Sequence, residues 1–118
     1  ELCMDTKFKK EEFVVLPDGE VAQVLETNYK NKKDFYKVSV LGPVYVEDFK
    51  SEKELKKWDP VAGEFCWFRS VHGSAEFGIF SGMRDGKYQM HYSKELTGLY
   101  NFSYCEPFRN QFPTFMTK

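Results

Sequence analysis

The sequence predicts a mostly β protein: two small SH3-like barrels in tandem, joined through a short helical linker. Three observations carry that prediction. Aromatic residues make up 18% of the 118-residue chain, with twelve Phe and seven Tyr, an excess that favours strands. Short apolar runs recur at close spacing with tight-turn signals between them, which argues for small curled sheets or barrels rather than one sandwich. The same layout of runs then occurs twice, so the chain divides into two halves that are each small for an independent core.

Residues 1–10 read as a polar lead segment and 11–58 as the first barrel. In "EFVVLPDGEVAQVLE" an apolar run, a Pro-Asp-Gly turn and a second apolar run give strand, turn, strand. After the polar loop "NYKNKK", the run "DFYKVSVL" alternates Tyr36, Val38 and Val40 with Lys37 and Ser39, and Gly42-Pro43 turns the chain into "VYVEDF". "SEKELKKW", Ser51 to Trp58, predicts a helix of one or two turns. Ser51 and Glu54 have capping-box spacing, and Leu55 and Trp58 share a face. Asp59-Pro60 ends it.

Residues 59–106 read as the second barrel. "EFCWFRS" and "AEFGIFSGM" are strands around the turn "VHGS". Asp85-Gly86 is a hairpin turn, "KYQMHYS" alternates Tyr88, Met90 and Tyr92, and "GLYNFSY" is a last strand. The tail 107–118 carries Phe108, Phe112 and Phe115, but Pro113 opposes a regular helix there, and Phe108 is expected to pack back on the barrels.

Seventeen basic residues against eighteen acidic ones give a formal charge of −1, so no global field attracts a phosphate backbone. The clusters Lys30, Lys32, Lys33 and Lys50, Lys53, Lys56, Lys57 have acids beside them and read as solvated faces, which ranks nucleic acid last among partners. Three separated cysteines, Cys3, Cys66 and Cys105, with no signal peptide or membrane-length apolar run, point to a reduced intracellular setting. A first residue Glu1 suggests a piece of a longer protein. No catalytic chemistry is legible. Cys66, His72, His91 and Cys105 match no metal-binding spacing, and no strand–loop–helix setting surrounds the glycines, so no metal, cofactor or nucleotide is expected.

The remaining signal is the aromatic stretch "GEFCWFRSVHGSAEFGIF". Together with "EFVVLPDGEVAQVL…FYKVSVLGPVYVEDF" and "KYQMHYSKELTGLYNF", it resembles a tandem Tudor module over about Phe13 to Tyr104. The resemblance implies a non-catalytic nuclear reader that holds a methylated lysine or arginine of a histone tail in an aromatic cage. Such cages work because ring faces attract a diffuse methylammonium cation by roughly 0.5–2 kcal/mol each. Carried over, the first barrel lacks the cage: Leu16, Ala22, Val40 and Gly42 stand where rings and an acid are expected. In the second, Phe77 and Tyr92 take ring positions, Trp67 or Phe68 supplies the third ring, and Glu95 stands next to the rim-acid position, with Glu76 also placed to meet a basic tail. Ser70 and Lys94 depart from the family pattern at a ring and at the acid position. If Cys66 and Phe68 face the core, strand alternation turns Trp67 outward. The alternative is a docking module without a cage that scaffolds a chromatin or cytoplasmic germ-granule complex by binding an unmodified protein segment.

Overall fold

The computed structural model describes residues 6–92 and 98–109. The chain divides into two compact units, Glu1–Trp58 and Asp59–Lys118. The first is one antiparallel sheet of β1 (Phe13–Val15), β2 (Val21–Glu26), β3 (Phe35–Val40), β4 (Val46–Ser51) and β5 (Lys56–Lys57), in the order β4-β3-β2-β1-β5. The second repeats it with β6 (Phe65–Arg69), β7 (Glu76–Arg84), β8 (Lys87–His91), β9 (Tyr100–Phe102) and β10 (Tyr104–Pro107), in the order β10-β6-β7-β8-β9. In each, the fifth strand returns to pair with the first. The edge strands do not pair with one another among the described residues, so the barrels expected from sequence are open curled sheets.

The turns follow local chemistry. Gly19 takes φ 89°, its N–H donates to the Leu16 carbonyl at 2.9 Å, and Asp18 Oδ1 accepts from the Glu20 N–H at 3.0 Å. Asp85 (φ 52°) and Gly86 (φ 74°) both adopt left-handed backbone between the paired Arg84 and Lys87, as a two-residue hairpin turn requires. Curl comes from bulges at matching places: the β2–β3 register shifts between Val24 and Glu26, and the β7–β8 register between Phe80 and Gly82.

The repetition extends to single hydrogen bonds. The Glu11 N–H donates to the Val24 carbonyl at 2.8 Å and the Val24 N–H to the Glu12 carbonyl at 2.9 Å. The pairs Gly63–Phe80 and Phe80–Glu64 do the same in the second unit, each at 2.9 Å. Cross-strand partners then match Leu16 with Phe68, Val21 with Phe77, Val38 with Met90 and Val40 with Tyr92. The sequence resemblance implies Ala22 at the ring position of the second strand. The register puts Val21 there and aligns Ala22 with Gly78, one residue and therefore one face away.

The predicted helix Ser51–Trp58 is corrected to a single 3-10 turn at Glu52–Glu54 followed by β5. Its start signal is real: the Ser51 N–H and Oγ both donate to Glu54 Oε1 at 3.0 Å. The helix stops because extending the chain buries Leu55 to 2% exposure and lets the Trp58 N–H donate to the Phe13 carbonyl at 3.1 Å. An isolated two-turn helix has no comparable gain, since nucleation is costly and few bonds repay it.

The first core gathers Phe8, Val14, Leu16, Ala22, Val24, Tyr36, Val38 and Leu55. Phe8 comes from the segment read as a polar lead, so the first unit begins before residue 11. The Phe8 ring meets Tyr36 edge-on at 5.7 Å, and its N–H donates to Tyr36 Oη at 3.3 Å. In the second unit Cys66, Phe68, Phe80, Met90 and Ile79 are buried. Among the described residues no helix is long and apolar enough to cross a membrane.

Candidate functional site

Strand alternation in the second unit sorts its aromatic residues onto two faces of one sheet. Cys66 and Phe68 of β6 point into the core, which turns Phe65 and Trp67 to the other side. Phe68 is fully buried against Phe102, with centroids at 5.6 Å, as its counterpart Leu16 is buried in the first unit. It offers no ring face to a ligand, so of the two residues proposed for the third ring only Trp67 is presented.

Trp67 lies directly across from Phe77 and meets it edge-on at 5.4 Å. Phe65 stacks on Phe77 at 5.0 Å and 4°, and Phe108 reaches Phe77 at 4.7 Å and Trp67 at 6.0 Å. The tail ring thus packs back on this sheet as expected; Phe112 and Phe115 lie outside the described residues. Phe65 is 48% and Phe77 37% exposed, so the cluster is an aromatic face rather than a sealed core. Glu106, paired across from Trp67, is buried beside it. The corresponding face of the first unit carries Phe13, Val15, Val21, Lys56 and Trp58, with only Phe13 and Trp58 in ring contact at 6.3 Å. Two valines in the first unit are therefore a tryptophan and a phenylalanine in the second.

Tyr92 is not part of that cluster. Ile79 pairs with His91 and Phe80 with Met90, so the residue after His91 shares the face of Met90 and Phe80, opposite Phe77. There Tyr92 meets Tyr100 at 5.3 Å and 60°, and each ring is 52% exposed. Tyr100 opens β9 across from Met90, which places it beside the end of β8. Burial pushes the Tyr92 phenol above its ordinary pKa, helped by the charge of Glu76 and by a hydrogen bond to its carboxylate. Two steeply inclined rings and a carboxylate therefore converge at one edge of the core. Glu95 and Lys94, in the connection from Tyr92 to Tyr100, lie outside the described residues.

Tyr100 escaped the sequence reading because nothing in "GLYNFSY" distinguishes its alternate rings; only pairing with β8 brings it to Tyr92. No cluster of three or more His, Cys, Asp or Glu able to hold a metal occurs among the described residues. Cys66 and Cys105 are free thiols on adjacent strands, and a hydrogen bond with Cys66, together with burial, pushes the Cys105 thiol far up. That is the reverse of what a nucleophile needs. Comparison with known proteins gives no match to the chain, whether among family models, curated proteins or solved structures.

Proposed function

We propose that the chain is a non-catalytic reader module whose second unit holds a methylated lysine or arginine of a histone tail or similar basic segment between Tyr92 and Tyr100. The observation that carries this reading is the 60° inclination of these two half-exposed rings beside the Glu76 carboxylate. A methylammonium is roughly spherical and poorly hydrated, so inclined faces contact more of its methyl surface than parallel ones, and a nearby carboxylate adds charge attraction. The reading rests on the tandem Tudor resemblance of the sequence, with which a repeated β-rich fold is consistent. A chromatin complex in the nucleus is the proposed setting, with a cytoplasmic granule as the alternative.

A second reading is favoured by the opposite face. Phe65, Trp67, Phe77 and Phe108 form a contiguous, partly exposed ring cluster of the composition found at protein contact surfaces. It fits docking of an unmodified segment without a cage.

Titration of isotope-labelled protein with trimethylated, dimethylated and unmodified histone-tail peptides tests the two. The reader is supported if shifts at Glu76, Tyr92 and Tyr100 depend on methylation. Equal shifts with the unmodified peptide sink it, and if they centre on Phe65, Trp67 and Phe77 they support docking.

A further inference from the structure

We propose that the first unit carries a second binding surface, a stacking platform for single-stranded nucleic acid formed by Tyr29, Phe35 and Phe49 with Lys30, Lys32 and Lys33 as its phosphate contacts. The three rings lie over the face of β3 and β4 that is turned away from the core, where Phe49 pairs with Lys37 and Phe35 with Ser51. Tyr29 stacks on Phe49 at 5.1 Å and 25°, and approaches the tilted Phe35 ring at 6.5 Å and 32°. Phe49 is the most open of these rings, at 42% exposure.

The loop that supplies Tyr29 is held in an unusual shape. Asn28, Lys30, Asn31 and Asp34 all take left-handed backbone, with φ of 47°, 54°, 62° and 57°. Asn and Asp tolerate that region, but Lys30 has no side-chain reason to occupy it. The loop is closed by the Asp34 N–H donating to Asn28 Oδ1 at 2.9 Å and the Lys32 N–H to the Tyr29 carbonyl at 3.1 Å. Its effect is to seat Tyr29 on Phe49 and hold exposed Lys30 and Lys32 over the rings, with exposed Lys33 next in the loop.

Those lysines differ from their neighbour Lys37. Lys37 is neutralised by Glu47 at 3.5 Å and Glu26 at 3.6 Å, whereas Lys30, Lys32 and Lys33 have no carboxylate partner among the described residues. The ammonium groups of Lys30 and Lys32 hover over Tyr29 and Phe35 at 5.6 and 5.4 Å, and that of Lys37, with its two carboxylate partners, also reaches the Tyr29 ring at 5.6 Å. Exposed contacts of that kind are weak and exchange readily for a phosphate. The stacked Tyr29–Phe49 pair suits a planar base, which continues the stack on Phe49. An acidic peptide would engage the lysines but leave the rings unused. The chain's net charge of −1 makes the binding weak without abolishing a local site, and the three lysine–phosphate contacts make it salt-dependent.

The test is fluorescence anisotropy with labelled oligo(dT) and oligo(U) of about 12 nucleotides, a length that spans a single small domain. With three phosphate contacts, affinity should fall about 20-fold between about 50 and 200 mM salt, for a log–log slope near −2. The triple variant Lys30→Ala, Lys32→Ala, Lys33→Ala should lose most of that slope. Phe49→Leu, which keeps bulk but removes the ring, should weaken binding about tenfold at unchanged slope. Circular dichroism confirms that each variant is folded. No binding at the lowest salt, wild-type affinity for folded Phe49→Leu, or competition by poly-glutamate as effective as by oligo(dT) would each overturn the proposal.

Discussion

Phe77 and Tyr92 leave the second sheet from opposite faces. Phe77 packs with Phe65, Trp67 and Phe108, whereas Tyr92 packs with Tyr100 beside Glu76. No single cage can use both rings, although the sequence resemblance implies a cage containing both.

The separation gives a direct prediction for binding. Tyr92→Ala or Tyr100→Ala should weaken a methylated peptide by roughly 3- to 30-fold, the value of one good ring contact. Phe77→Ala should change it by less than about twofold, because its ring is across the sheet from the site. Calorimetric titration of the three variants checks this, and a large loss with Phe77→Ala would relocate the site to the aromatic face.

Packing in the second core depends on Gly78. A methyl group there would fall inside the van der Waals shell of Met90 Sδ and Cγ, whereas the matched positions of the first unit hold Ala22 beside the smaller Val38. Gly78→Ala should cost about 1–3 kcal/mol by overpacking. Adding Met90→Val should recover part of that loss, so the pair is non-additive in denaturant unfolding. Simple additivity would show that Met90 relaxes freely.

Acid pH should reach the first unit through Glu54. Hydrogen bonds from the Ser51 backbone and side chain hold the Glu54 carboxyl below its ordinary pKa of 4.5. A carboxylate with a depressed folded pKa adds stability above the unfolded value, and that stability is lost as pH falls through the folded value. Carboxyl chemical shifts should therefore place the Glu54 midpoint below about 4.5 and move it upward in Ser51→Ala.

The thiols offer a chemical check. Cys105 should resist alkylation at about pH 8 in the folded protein and react on unfolding, since a raised pKa leaves almost no thiolate. Mass spectrometry of peptides after brief iodoacetamide treatment distinguishes this from ready labelling of an exposed thiol.

Much of the strand layout was legible because it is locally encoded. The alternation of Tyr36 and Val38 with Lys37 and Ser39, and the turn pairs at Asp18-Gly19 and Asp85-Gly86, depend on near neighbours alone. The helix expected at Ser51–Trp58 failed for the complementary reason. Its capping residues are local, but β5 pairs with β1 some forty residues upstream, and no local signal reports that pairing. Phe8 was hidden in the same way, inside a polar segment whose one ring is drawn into the core by Tyr36.

The site shows the same division. By itself the sequence determined that the chain is β-rich, doubled, and loaded with aromatic residues in its second half, and that Cys66 and Phe68 must face one way if Trp67 faces the other. Only the tertiary structure decided which rings meet. Strand register shifts every side chain to the opposite face with each residue of slip, so one pairing, Ile79 with His91, sends Tyr92 away from Phe77 and toward Tyr100. Composition and spacing fix how many rings the sheet carries; cross-strand pairing fixes which face each one serves.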